Sequence, residues 1–209
     1  TSARRSDRTR QTLLESALTE IHSVGFQAAS LSRIVAGAGV SKGALYHHFP
    51  NKLALGYAVV DEPLTDYVIK TFVEPYRQNA DPIECMRNIG NNERDRMLEQ
   101  GVTLGCPLVN LSQEMSPVDE GFRTRIDSLL ALWRNNLAEA LKVGQENGYV
   151  RTDIDPIAEA TLMTATRQGA VALAKAAQSL NLLENGMTAF MEYLDRLRPD
   201  DWVDDKASD

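Results

Sequence analysis

Apolar residues recur along this chain every three or four positions, and no stretch of useful length alternates as a strand would. Leu13, Leu14, Ala17, Leu18, Ile21 and Val24 mark one face of a helix over 8–24, which Gly25 ends. Ser30 and Ser32 offer N-caps for a short second helix carrying Leu31, Ile34 and Val35. The "AGAG" at 36–39 closes it with a glycine able to take a left-handed backbone. Ser41 caps a third helix through Phe49, stopped by Pro50. Asn51 opens a long fourth helix that Pro63 and Pro75 limit or kink. Helical periodicity then covers 82–100, 107–115, 118–147, 155–179 and 186–197. "QENGYVRTDIDP" breaks the pattern, with Gly148 capping one helix and Asp155 and Pro156 starting the next. The pattern predicts an all-α protein: a three-helix domain at 1–52, a larger helical domain at 53–198, and an acidic, aperiodic tail at 199–209 that frays.

Composition narrows the class. With 209 residues, 43% hydrophobic and 24% charged, the chain reads as soluble and globular. No apolar run is long enough to span a bilayer, and no membrane association is expected. The basic "TSARRSDRTR" runs into an amphipathic pattern rather than an apolar signal core, so a cytoplasmic location is expected. Only Cys85 and Cys106 are present, without the spacing of a disulfide framework or a zinc site. The formal charge of -7 is unevenly distributed. Residues 1–60 carry seven basic and three acidic groups, whereas the remainder carries 15 and 26. A basic N-terminal segment on an acidic protein points to a polyanionic partner for that segment.

The stretch "VSKGALYHHFPNK" at 40–52 identifies that partner. Two short helices joined by a glycine turn form a helix-turn-helix candidate, whose second helix enters a DNA major groove. At about 100° per residue, Leu45 and Phe49 face inward, Gly43 and His47 outward, Tyr46 lies on the flank, and His48 returns toward the packing seam. Adjacent histidines diverge on a helix, and only His22 remains elsewhere, so neither a metal site nor a catalytic dyad is expected. Lys42, Tyr46, His47 and Lys52 instead supply donors for phosphates and base edges, beside Arg4, Arg5, Arg8 and Arg10.

"TLLESALTEIHSVGFQAASLSRIVAGAGVSKGALYHHFPNKLAL" at 12–55 resembles the DNA-binding domain of the TetR family of bacterial transcriptional regulators. The resemblance implies a homodimeric, all-helical regulator, generally a repressor, whose C-terminal domain binds a small ligand and thereby moves the two reading heads. It implies double-stranded, palindromic operator DNA as partner, no cofactor and no enzymatic activity. By position, Ser30, Ser32 and Arg33 start the helix that crosses the DNA backbone, Ser41, Lys42, Gly43, Ala44, Tyr46 and His47 belong to the reading helix, and Lys52 matches a phosphate-binding lysine. Ala44 stands where many members carry Thr or Ser, which leaves methyl contact with a thymine. Family resemblance also implies a dimer contact through 155–197.

"GCPLVNLSQEMS" at 105–116 is the second distinctive stretch. Pro107 fits the first turn of a helix, leaving Cys106 at its N-cap, where the helix dipole stabilises a thiolate; a buried structural thiol is the alternative. "GCPLVNLSQEMSPVDEGFR" and "QGAVALAKAAQSLNLLENGM" resemble the family branch that includes the N-ethylmaleimide reductase repressor, an electrophile sensor. In that sensor a cysteine and a lysine act together, and they match Cys106 and Lys175. The rival is a reversible ligand in a pocket lined by Tyr67, Phe72, Met97, Met115, Phe122, Trp133, Met163 and Arg167, with Arg167 recognising an acidic group. Two other classes remain: a small cysteine-dependent enzyme, disfavoured because His22, His47 and His48 all precede residue 49, and an interaction module that does not bind DNA.

Overall fold

The computed structural model describes residues 2–100 and 104–202, with side chains placed for all of these except 2–5 and 100. Among the described residues every regular element is helical: α1 (Ser2–Val24), α2 (Leu31–Ala38), α3 (Lys42–His48), α4 (Lys52–Val59), a π-helical turn (Val60–Leu64), α5 (Thr65–Phe72), α6 (Glu74–Gln78), α7 (Pro82–Gln100), α8 (Pro107–Met115), α9 (Glu120–Glu146), α10 (Pro156–Ala177) and α11 (Leu180–Asp195).

The chain forms two compact units. One contains the residues up to Val68 together with Cys106–Leu130; the other contains Ile69–Gly105 and everything from Ala131 onward. This division differs from the 52/53 boundary that periodicity suggested, because α8 and the start of α9 pack with the N-terminal helices rather than with the rest of the larger domain.

In the first unit, Leu13, Leu14, Ala17, Ile34, Leu45 and Phe49 are buried together with Leu55 and Val59 of α4. The close approach of α1 and α2 depends on Gly37, where a Cβ would sit 2.6 Å from Ser16 Oγ; Ser16 Oγ itself donates to Ile34 O at 2.8 Å. Phe122 of α9 meets Phe26 edge-on at a centroid distance of 4.7 Å and Tyr57 at 5.1 Å. Asp119 accepts from both Tyr57 Oη and Phe122 N at 2.8 Å, which fixes the start of α9. Pro63, which has no N–H to give, lies inside the π-helical turn, where Asp61 pairs with Arg125 at 3.0 Å and Glu62 pairs with Arg10.

In the second unit α10 and α11 pack along each other and α11 also packs on α7. Two boundaries depart from the periodic reading. The first helix begins at Ser2 rather than near residue 8, so the basic arm is helical. The last begins at Leu180, with Ser179 Oγ accepting from Leu182 N, and runs through Gly186 without a break. A Cβ at Gly186 would sit 2.7 Å from Ala170 Cβ, so this glycine serves helix contact and not termination. Residues 203–209 of the expected frayed tail lie outside the described residues. Its first part is folded: Trp202 N donates to Pro199 O at 3.0 Å, and Arg198 lies over the Trp202 ring.

Candidate nucleic-acid interface and ligand cavity

The reading helix is built by its ends. Ser41, in extended conformation, accepts from Ala44 N at 3.1 Å through its hydroxyl and opens α3. Gly39 turns the chain into it at φ 64°, a left-handed conformation that costs a side-chain-bearing residue about 1–2 kcal/mol. Leu45 and Phe49 anchor one face of α3, at 1% and 3% exposure. The opposite face presents Lys42, Gly43, Tyr46 and His47, all exposed, with Ala44 half-buried. Gly43 leaves this surface flat, since the nearest atom to a Cβ there would be Ser41 Oγ at 3.8 Å. His48 lies half-buried in the seam, where burial, His47 and Arg10, in that order, hold its pKa below the usual histidine value.

The helix before it is capped by Ser30, whose hydroxyl accepts from Arg33 N. Arg33 and Ser32 are exposed, but Arg33 is not an unengaged cation: its Nε donates to Glu20 Oε1 at 2.7 Å, and the same oxygen accepts from Ser30 N at 3.0 Å. Those two bonds hold the Glu20 carboxyl below its usual pKa. Lys52 is likewise held in place, with Nζ donating to Gln27 O at 2.9 Å and lying 5.1 Å from the Phe26 ring centroid. Each guanidinium or ammonium is therefore oriented by the protein while still partly accessible to a phosphate.

A residue that periodicity did not single out completes this surface. Glu114, at the end of α8, accepts from Phe26 N and Gln27 N, both at 2.8 Å, one with each carboxylate oxygen. The turn between α1 and α2 is thus held by Glu114 on its amides and by Lys52 on a carbonyl. Gly25 at φ 83° permits the approach, since a Cβ there would lie 2.9 Å from Glu114 Oε2. Nothing local marks Glu114, because its partners are 88 and 87 residues away in the chain.

The residues proposed to sense a ligand are dispersed. Met115 and Phe122 belong to the core of the first unit, so they are not wall residues of a cavity in the second; Tyr67 also falls in the first unit. Met97 is buried but does not line the cavity. Phe72, Trp133, Met163 and Arg167 do meet there, together with Tyr76, Met86, Thr164 and Phe190. Free space amounts to about 20 Å³, room for a water molecule or two. Phe72 and Trp133 stack at a centroid distance of 3.9 Å, and the Arg167 guanidinium lies 4.9 Å from the first ring and 5.6 Å from the second. Arg167 Nη2 donates to buried Glu93 at 3.3 Å, and Arg96 binds the same carboxylate at 3.1 and 2.8 Å.

Cys106 is the N-cap residue of α8, 5% exposed, and its carbonyl accepts from Asn110 N at 2.9 Å. Lys175, half-buried in the last turn of α10, belongs to the other unit. Cys85 is buried in α7, and burial, with Asp81 nearby, pushes its thiol pKa up to about 12, which leaves it unreactive. Among the described residues no group of three or more His, Cys, Asp or Glu side chains is placed to hold a metal ion, and no helix is long and apolar enough to cross a membrane.

Comparison with known proteins places these parts. Residues 13–59 match the model of bacterial regulatory proteins of the tetR family, and residues 82–190 match that of the tetracyclin repressor-like C-terminal domain. The chain is 27% identical to the transcriptional regulator AcuR of Cereibacter sphaeroides, over 79% of this chain and 75% of that protein. It is 29% identical to the transcriptional repressor NemR of Escherichia coli strain K12, over 78% and 82%. The crystal structure of the reduced form of E. coli NemR superposes with a TM-score of 0.75 at 26% identity, covering 93% of this chain and all of that one. With one model spanning the reading head and the other more than half of the chain, this protein belongs to the TetR family and is a DNA-binding transcriptional regulator related to NemR.

Proposed function

We propose that the protein is a repressor that binds a palindromic operator as a homodimer in the cytoplasm and leaves it when a small molecule enters the cavity around Arg167; it performs no catalysis. The observation that carries the reading is the two-sided reading helix. Its buried side holds it rigidly through Leu45 and Phe49, and its open side offers Lys42, Gly43, Ala44, Tyr46 and His47 to a major groove. Ser30, Ser32, Arg33, Ser41 and Lys52 supply backbone contacts around it. Exposed Ile157, Leu162, Leu173, Leu180 and Leu182 on α10 and α11 support a second copy as the partner that covers them.

DNA binding at matched and scrambled sites, measured across a salt series, tests this. His47→Ala is expected to weaken specific binding more than nonspecific binding, whereas Lys52→Ala weakens both. Equal losses for His47→Ala at both kinds of site would refute the assigned reading role.

Cys106 favours a second trigger, oxidation or alkylation by an electrophile, because it stands at the N-cap position of α8, where the helix dipole favours a thiolate. Its burial means that the start of α8 must open before reagent arrives. Cys106→Ser is expected to retain DNA under electrophile treatment that releases the wild type, with Cys85→Ser as the unaffected control.

A further inference from the structure

The cavity of the second unit carries an unbalanced set of polar groups. Thr164, Arg167 and Gln168 lie at i, i+3 and i+4 along α10 and therefore share a face. The Thr164 hydroxyl, Arg167 Nε and both polar atoms of the Gln168 amide are buried without a hydrogen-bond partner among the described residues. Such groups ordinarily find partners, and a row of three on one helix face calls for a physical reason. Two of the three residues, Thr164 and Arg167, line the cavity.

Charge is unbalanced in the same place. Glu93 is 5% exposed and accepts from both Arg96 and Arg167, so among the described residues one carboxylate faces two guanidinium groups. Arg96 keeps 35% of its side chain exposed, where water screens it. The Arg167 side chain is 8% exposed and has no such outlet; its faces meet aromatic rings, which tolerate a cation but accept no N–H bond in the plane of the guanidinium. Tyr76, on the same wall, has its phenol pKa raised well above the usual value by burial, so it remains a hydroxyl donor. Water would satisfy the Thr164 hydroxyl but brings no charge to offset that of Arg167. A dianion would overshoot, leaving net negative charge among Phe72, Trp133 and Phe190.

We propose that this cavity receives a small organic monocarboxylate, its carboxylate held by Arg167 Nε and the Thr164 hydroxyl and its short apolar body against Phe72, Trp133 and Phe190. The inference rests on the reading of this cavity as the effector site. The present free space of about 20 Å³ is too small for such a ligand, so entry requires movement of the wall. Met86 and Met163 are the wall residues best able to give way, because an unbranched thioether repacks readily. Binding would then be coupled to a change in packing around α10, the property that an effector site needs.

The test compares propionate and benzoate with propionamide and benzamide, which have nearly the same shape and no charge. Calorimetric titration of the full-length dimer measures affinity, and the DNA fragments that the wild type selects report release. At least one carboxylate is expected to bind about tenfold or more tightly than its amide. Arg167→Met is expected to abolish that preference, Arg167→Lys to restore part of it, and Thr164→Val to weaken it. Equal binding of acid and amide, or failure of both acids to bind the wild type, overturns the inference without recourse to any variant. Neutral compounds that bind the cavity and release DNA would leave the effector reading standing and remove the carboxylate. A carboxylate that binds through Arg167 but leaves DNA affinity unchanged would do the reverse.

Discussion

The reading head and the interior of the second unit treat polar groups in opposite ways. In the head, Ser30, Ser41 and Asn51 each cap a helix with a side-chain oxygen, and Glu20, Lys52 and Glu114 tie down the segments between helices. On one face of α10, Thr164 and Arg167 at the cavity and Gln168 beside them bury polar atoms that have no partner among the described residues. A surface that reads DNA gains from being set before the DNA arrives, since ordering is then not charged against binding. A sensing site gains from the reverse: unmet hydrogen bonds and uncompensated charge in the empty protein are what a ligand can improve on, and only a differential interaction shifts a conformational equilibrium.

The sharpest way to break this contrast is to remove each partner of the buried ion pair in turn. Glu93→Ala leaves Arg167 as an uncompensated buried cation and is expected to cost about 3–5 kcal/mol of stability. Arg167→Met should cost less than about 1 kcal/mol or even stabilise, because an apolar chain of similar length fits among aromatic rings better than an unsatisfied guanidinium does. Urea denaturation at one fixed protein concentration reads both, with concentration held constant because the dimer links stability to mass action. Equal tolerance of the two changes would mean that Arg167 is hydrated in solution, and the contrast with the head would disappear.

A smaller effect tests the head. Glu114→Ala removes two acceptors from the α1–α2 turn and is expected to cost about 1–3 kcal/mol, the range for stranding hydrogen-bonded groups at a charged partner. Hydrogen exchange at the Phe26 and Gln27 amides should quicken, with specific DNA affinity falling alongside, and Glu114→Gln should lie between the two. Unchanged exchange at both amides would assign the turn to Lys52 and the hydrophobic contacts of Phe26 instead.

How far each region could be read from sequence follows the same division. Local chemistry determines the head: Ser30, Ser41 and Asn51 announce their helices, Gly39 its left-handed turn, and a 100° step per residue separates buried Leu45 and Phe49 from exposed Gly43 and His47. Glu114 escaped because its bonds close over nearly ninety residues, and Arg10 and Arg33 read as free cations until Glu62 and Glu20 appeared beside them. For the cavity, residue type was informative and location was not. Phe72, Trp133, Met163 and Arg167 meet as expected, yet Met115 and Phe122 look no different in sequence and serve another core. Helical periodicity says which face is buried, not against what. The early start of α11 was hidden for a related reason: Gly186 has the residue type of a terminator but is spent on contact with Ala170.

The smallest expected effect concerns pH and distinguishes the free head from the head on DNA. Burial lowers the His48 pKa, aided by His47 and Arg10 and opposed by Asp7. A histidine whose folded pKa lies below its unfolded value, about 6.5, binds fewer protons folded than unfolded. Its contribution is therefore fully present above that pH and is lost as pH falls through the folded pKa. The loss should stay under about 1 kcal/mol, because His48 keeps solvent contact that screens its charge. Denaturation midpoints at pH 7.5 and 5.5, compared between the wild type and His48→Gln, read it, and the variant should lose less on acidification. On DNA the sign reverses: a phosphate beside the reading helix favours the imidazolium, so acidification should strengthen DNA binding of the wild type more than that of His48→Gln. A wild type that loses stability and DNA affinity together on acidification, each to the same extent as the variant, would show that His48 neither senses its burial nor approaches a phosphate.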